Sequence, residues 1–319
     1  MKYSKVISLA CVSAALLIPI DRAHATPVEV DGTVSSVKTN KDGSITLTVM
    51  GVAVNVPKDT PITSPSAVLT LAQLADPAPL PGRTQPGFVG GNAFVTGDTD
   101  AASGVITATD IFVEPAKHLL LGVVTSKAGA ELKVNNMPVL FSKDPRMPSV
   151  APRNRYGMAV DTSALAHGST VLVEGYFDGT NFRAFNLEIR GKAPVTSPHP
   201  QVAIIASKCW EKSPNGSAGD EVEVRGAVTM GHVSSGVNTQ TVRIYRVDRG
   251  VDTVLGDAIA TRDPSDNNFA LFEFTTTTPP STDAVLGTAP TRLKAVNISA
   301  AMAEADVTEL VRDVPLTSR

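Results

Sequence analysis

The chain has 319 residues, of which 42% are hydrophobic, 5% aromatic and 18% charged, and its formal charge is −3. That balance supplies a core and gives no global pull toward nucleic acid, while two cysteines exclude a disulfide-stapled framework. Abundant Val and Thr, with 24 Gly and 23 Pro for turns, are the composition of an all-β protein.

Residues 1–25 read as a signal peptide. Lys2 and Lys5 begin it, Val6 to Ile20 is a short apolar run, and Ala23-His24-Ala25 offers the small-x-small cleavage pattern. The run is too short and wrongly flanked for a membrane span. Cys11 lies too early for a lipoprotein cysteine and belongs to the leader. Cleavage before Thr26 leaves Cys209 alone in an exported chain, so its domains must be held by their cores. Beside Trp210, Cys209 reads as a strand residue, since no histidine lies near in sequence to activate a thiolate. The expected location is periplasmic or extracellular, at the cell surface.

Residues 26–116 form the first expected domain. VEVDGTVSSV alternates as a strand, Lys41-Asp42-Gly43 is a tight turn, and SITLTVMGVAVNVP is a strand pair or a bent strand pivoting at Gly51. Thr63-Ser64-Pro65-Ser66 before AVLTLAQLAD predicts a short helix capped by serine with proline at its start. A Pro-rich loop, DPAPLPGRTQPG, then delivers the chain to a hairpin, GNAFVTGDTDAASGVITATDIFVE.

Residues 117–192 repeat that order. LLLGVVTSK matches EVDGTVSSV with Gly122 at the place of Gly32, and ELKVNNMPVLF turns at Asn135-Asn136. A loop rich in proline and arginine and a helical turn over Thr162 to His167 precede STVLVEGYFDGTNFRAFNLEI. Its Gly175, Ala184, Leu187 and Ile189 stand where Gly97, Ala108, Ile111 and Val113 stand in the earlier hairpin. Five short strands with a helix between the third and fourth is the order of a small OB-like Greek-key barrel. The pattern (Val/Leu)-x-Gly-x-Val, followed by a hairpin ending Ala-x-x-(Ile/Leu)-x-(Val/Ile), resembles a family of secreted bacterial OB-like repeats of unassigned function. That resemblance implies two barrels and carries no catalytic residues.

Residues 193–200, APVTSPHP, read as an extended linker. From 201 to 319, strands recur at about ten-residue spacing, the rhythm of an antiparallel β-sandwich. Val224-Arg225-Gly226, Val242-Arg243-Ile244-Tyr245, Leu255-Gly256, Phe272-Glu273-Phe274 and Leu293-Lys294-Ala295-Val296 resemble the strand signatures of bacterial Ig-like surface domains. An antibody-type Cys-Trp-Cys pattern is absent. The tail from Glu304 to Val314 fits a last strand or a short helix equally.

Chemistry-bearing patterns are few. His118, His167, His199 and His232 are widely separated, and no pair has zinc-ligand spacing. Met230-Gly231-His232 offers two soft ligands where a copper site needs more, and a strand end beside a turn explains them equally. Asp98-Thr99-Asp100 and the run from Asp263 to Asn268 are oxygen-rich, yet Asp and Asn also favour turns and no closing Glu makes an EF-hand. No nucleophile elbow, metalloprotease helix or Walker loop is present, which points away from an enzyme. Asn215-Gly216-Ser217 and Asn297-Ile298-Ser299 match a glycosylation pattern that carries no meaning in a bacterial chain.

One asymmetry stands out. Lys plus Arg number 4 against 9 Asp plus Glu in residues 26–116, 10 against 6 in 117–195, and 11 against 15 in 196–319. Part of the middle excess lies in one loop, with Arg146, Arg153, Arg155 and Tyr156. Such a loop is the candidate ligand-binding element, because arginines grip anionic polymers and an aromatic ring stacks. Complementarity between neighbouring domains, or simply a solvated loop, explains the same charges. The sequence therefore points to an exported, non-enzymatic structural or binding protein of the bacterial envelope, a modular spacer or docking protein partnered by other envelope proteins. No cofactor or metal is expected, and nucleic acid is not an expected ligand. The alternative is a periplasmic accessory protein that binds an oligosaccharide, an anionic polymer or a cation.

Overall fold

Val28, Val30 and Val34 alternate with polar residues and form β1 (Thr26–Thr39), which feeds β2 (Ile45–Val49) and β3 (Val52–Val56). The computed structural model describes residues 26–128, 131–191, 193–195, 199–210, 219, 221–248, 251–277, 290, 292–300 and 309–312. The signal-peptide reading and the Asn215 pattern fall outside those residues. Met50 and Gly51 take φ of 49° and 84°, so β2 and β3 are a tight hairpin rather than one bent strand.

β4 (Ile62–Thr63) and β5 (Val68–Leu69) follow, then α1 (Leu71–Ala75), β6 (Asn92–Thr99) and β7 (Ile106–Glu114). β1 pairs with β2 and β6, β6 with β7, and β3 returns to pair in parallel with β7 through Val54–Ile106 and Asn55–Thr107. That last pairing closes a five-stranded barrel. The helix starts later than expected. Ser64 Oγ accepts from Ala67 N at 3.1 Å, holding residues 64–67 as a turn, and Thr70 caps α1 in a reciprocal capping box with Gln73.

The second barrel is assembled in the same order. β8 (His118–Ala128), β9 (Glu131–Val134) and β10 (Met137–Phe141) precede β11 (Arg153–Asn154), a 3-10 turn at Thr162–Ala164, β12 (Thr170–Phe177) and β13 (Phe182–Ile189). β8 pairs with β9 and β12, β12 with β13, and β10 closes the ring in parallel with β13. Even the irregularities correspond. The first strand of each barrel bulges at Val34/Ser36 or Val124/Ser126, and the fifth carries an extra residue, Thr109 or Phe185, opposite Thr96/Gly97 or Glu174/Gly175. Asn135 and Asn136, at φ 49° and 65°, make the same two-residue turn as Met50-Gly51.

Residues 202–312 give β14 (Val202–Trp210), β15 (Glu221–Thr229), β16 (Thr239–Asp248), β17 (Val251–Arg262), β18 (Phe269–Thr277), β19 (Arg292–Asn297) and β20 (Glu309–Arg312). The tail, left open between strand and helix by the sequence, is a strand at 309–312. Instead of two separate sheets, these strands form one hydrogen-bonded ribbon, ordered β14-β15-β18-β17-β16-β19-β20. The join is narrow: β17 pairs with β18 only through Thr261–Leu271 and Arg262–Ala270, and with β16 along its length. The ribbon curls so that β14 approaches β19 and β20, around a core that includes Val222, Val242, Ile244, Phe272 and Leu293. Cys209 is fully buried in this core and forms no disulfide. Among the described residues, no helix is long and apolar enough to cross a membrane.

The bulged hairpins rest on close backbone contact. A Cβ at Gly175 would lie 2.0 Å from Arg183 O, and one at Gly97 would lie 2.5 Å from Thr107 O. Gly175→Ala is expected to lower the urea unfolding midpoint, at a cost of about 1–3 kcal/mol by analogy with overpacking. Gly191→Ala, with nothing near its Cβ and no unusual backbone angle, should shift it by less than about 0.5 kcal/mol.

Candidate functional site

Pro145, Pro148 and Pro152 leave the segment between β10 and β12 with only the two-residue strand β11, so most of it runs as loop and meets both neighbours. Its first half faces the first barrel. Asp144 receives Arg146 N, Nε and Nη2 at 2.9, 2.9 and 2.7 Å, which fixes the guanidinium as a bidentate fork. The free edge of that fork reaches across, with Nη1 donating to Ala78 O at 2.7 Å and lying 3.6 Å from the Asp76 carboxylate. Ser64 Oγ returns a bond to Arg146 O at 2.7 Å. Met147, fully buried, joins Tyr176 and Phe185 in the core of the first barrel. Tyr176 donates to Pro81 O at 2.7 Å, and its burial pushes the phenol up to about 12.

The second half faces the curled sheet. Asn154 Oδ1 accepts from Tyr156 N and Met158 N at 3.0 and 3.1 Å, folding the chain so that Tyr156 projects outward. Gly157 follows at φ 78°, and a Cβ there would lie 2.8 Å from that of Ala203. The Tyr156 ring stacks on Phe269 with centroids 4.0 Å apart and an 18° tilt. Its hydroxyl donates to Asp263 Oδ2 at 2.7 Å and accepts from Arg155, which also donates to Ser265 Oγ at 2.7 Å. Tyr156, Met158, Ala203, Ala227 and Phe269 form a small core of their own at this junction. The first barrel also reaches the curled sheet, through an ion pair between Asp110 and Arg292.

The four candidate residues therefore split by orientation. Arg146 and Tyr156 are 4% and 3% exposed and face neighbouring bodies, while Arg153 and Arg155 are half-buried. Arg153 lies in β11, opposite Glu188 of β13. Arg146 and the Arg155–Tyr156 pair thus engage neighbouring bodies as two clamps, a geometry that fits the reading of those charges as complementarity between domains. The oxygen-rich turns are likewise engaged. Asp100 accepts from Ala102 N, Ser103 N and Ser103 Oγ, while Asp263 holds Tyr156 and Ser265 N. Met230 and His232 both meet the buried Gln240, whose Nε2 donates to Met230 Sδ at 2.9 Å and whose Oε1 lies 3.2 Å from His232 Nε2. Among the described residues no group of three or more His, Cys, Asp or Glu is placed to hold a metal.

A cleft of about 570 Å³ opens beside the second clamp. It is lined by Ala193, Pro194, Val195 and His199 of the linker and by Thr229, Gly231, His232, Asp266, Asn268 and Phe269 of the curled sheet. Sequence spacing gave no sign of it, because its walls come from three separated segments. Linker residue His199 and turn residue His232 come to line one cleft only through the fold.

No family model matches the chain, and no curated protein or solved structure matches it.

Burial alone would raise Asp144 and Asp263. The bonds from Arg146 in one case, and from Tyr156 and Ser265 in the other, outweigh it and leave both carboxyls below their ordinary range. A carboxyl depressed by folding adds stability that is full above its unfolded value, about 3.9, and disappears as pH falls through the folded value. Both clamps should therefore loosen below about pH 4, seen as growth of the scattering radius before far-ultraviolet dichroism changes. Arg146→Ala, which strands Asp144 at a buried junction, is expected to cost about 3–5 kcal/mol in urea unfolding. Tyr156→Phe, which removes one donor from Asp263 and keeps the ring stack, should cost about 1–3 kcal/mol.

Proposed function

We propose that this chain is an exported, non-enzymatic structural protein of the bacterial envelope that acts as a docking platform. The reading takes its parts to be two copies of an OB-like barrel followed by an Ig-like sandwich. Support for the barrels lies in the strand order: first to second to third, third in parallel to fifth, fifth to fourth and fourth back to first. Support for the sandwich lies in the narrow join. Dividing the ribbon there leaves β14-β15-β18 and β17-β16-β19-β20, the neighbours that Ig-type sheets place together. The export reading rests on the leader pattern of residues 1–25 and on one cysteine in the remainder.

One observation carries the platform role. The loop with the greatest concentration of chemistry-bearing side chains ties three bodies to one another. An enzyme or a polymer-binding protein turns such residues toward a ligand, whereas a platform needs them to fix geometry. The Asp110–Arg292 pair adds contact between first and last bodies, which favours a block over an extended spacer. Scattering from the purified chain should then give one compact particle, unchanged by moderate salt. An elongated, flexible ensemble, or turnover of glycan, ester or peptide substrates in a broad screen, counts against the proposal.

The cleft beside His199 and His232 favours the second reading, a periplasmic accessory protein that holds a small polar ligand such as an oligosaccharide, a polyphosphate or a cation. Calorimetric titration with maltotriose, polyphosphate and calcium tests it. The expected result on this reading is saturable heat lost in His232→Ala, and absence of heat from all three probes would remove it.

A further inference from the structure

The turn between the second and third strands of each barrel lays a different side chain over the same glycine. Met50 N donates to Thr33 O at 2.9 Å in the first barrel, and Asn135 N donates to Val123 O at 2.9 Å in the second. Met50 therefore corresponds to Asn135, and Thr33 to Val123. Both turn residues take φ of 49°, a left-handed value that suits asparagine and is uncommon for methionine. Gly32 and Gly122 make room for the two side chains. A Cβ at Gly32 would lie 2.3 Å from Met50 Sδ, and one at Gly122 would lie 2.6 Å from Asn135 Oδ1.

The two side chains do unequal work at that place. Asn135 Oδ1 accepts from Val123 N at 2.9 Å, and Asn135 Nδ2 donates to Leu121 O at 3.4 Å. Met50 brings to the corresponding Thr33 only a thioether sulfur, which is a weak acceptor. Met50 is also 59% exposed, whereas Met147, Met158 and Met230 are at most 2% exposed and Met137 is half-buried. A dissolved oxidant therefore meets this sulfur before those of the cores. One oxygen added to Sδ would supply a strong acceptor where the second barrel already has Asn135 Oδ1.

We infer that Met50 is an oxidation site of this protein, and that its sulfoxide takes the part at Gly32 that Asn135 takes at Gly122. The oxidant is a hydroperoxide. The Sδ lone pair attacks one peroxide oxygen, the O–O bond breaks as an S–O bond forms, and a proton shift releases the remainder as water or an alcohol. Sulfur is oxidised by one electron pair and the peroxide is reduced by the same pair. The new oxygen accepts from Thr33 N, as Asn135 Oδ1 accepts from Val123 N. Oxidation of a buried methionine disrupts a core, but here it completes a turn. The inference rests on the correspondence between the two barrels and is independent of the platform reading.

Hydrogen peroxide treatment of the purified chain, read by peptide mass spectrometry, tests the site. Met50 is expected to gain one oxygen at least about tenfold faster than Met147, Met158 and Met230. Hydrogen exchange at the Thr33 amide, followed by nuclear magnetic resonance, tests the bond. Exchange should slow on oxidation toward the rate of Val123, and the same treatment should leave it unchanged in Met50→Leu. Met50→Asn supplies the acceptor without oxidant, so it should slow Thr33 exchange in the untreated protein. Oxidation of Met50 at the rate of the buried methionines overturns the inference. So does Thr33 exchange that neither peroxide nor Met50→Asn slows. A urea midpoint that falls further in the oxidised chain than in peroxide-treated Met50→Leu overturns it as well.

Discussion

A closed barrel has no strand edge to offer a neighbour. Once β3 meets β7 and β10 meets β13, the ladder hydrogen bonds are used inside each ring, and contact between bodies must come from loops and outward side chains. The rest of the molecule follows from that closure. The Pro-rich segment after α1 carries Leu80 and Phe88 into the first core and exposes the Ala78 and Pro81 carbonyls to the second barrel. The segment after β10 does the converse, sending Met147 one way and Tyr156 the other. Proline suits both segments, since it blocks further strand pairing and leaves carbonyls free to accept.

Arginine and tyrosine do different work at the two junctions. Arg146 faces an acceptor-rich backbone, and its planar fork satisfies a carboxylate and a carbonyl together. Tyr156 faces an apolar patch with one acid beyond it, so an amphipathic ring with a hydroxyl at its far end fits both. Exchanging the two would leave a buried charge at one junction and an unmatched acid at the other.

Much of the fold was legible in the sequence. Alternation located the strands of both barrels and of the curled sheet, and the paired glycines at 97 and 175 marked two hairpins whose bulges coincide. The start of α1 was not legible, because Ser64 could cap a helix or hold a turn, and only the bond from Ala67 N decides. The loop of Arg146, Arg153, Arg155 and Tyr156 was found by charge, but its partners were hidden. Ala78 and Asp263 lie far away in sequence, and no local pattern says whether an arginine faces solvent or a carbonyl in another body. For the same reason the cleft around His199 and His232 could not be read from spacing.

The placement of Met147, Tyr176 and Phe185 in the first barrel's core affects the order of events during synthesis. Residues 26–116 emerge before any of the three exists, so the first barrel begins life with part of its apolar interior uncovered. Its own contacts form early, yet burial is finished only when the fourth and fifth strands of the second barrel have been made. A chain built this way delays its final stability until most of its length is available. A core completed by late residues keeps the early ones pliable for longer.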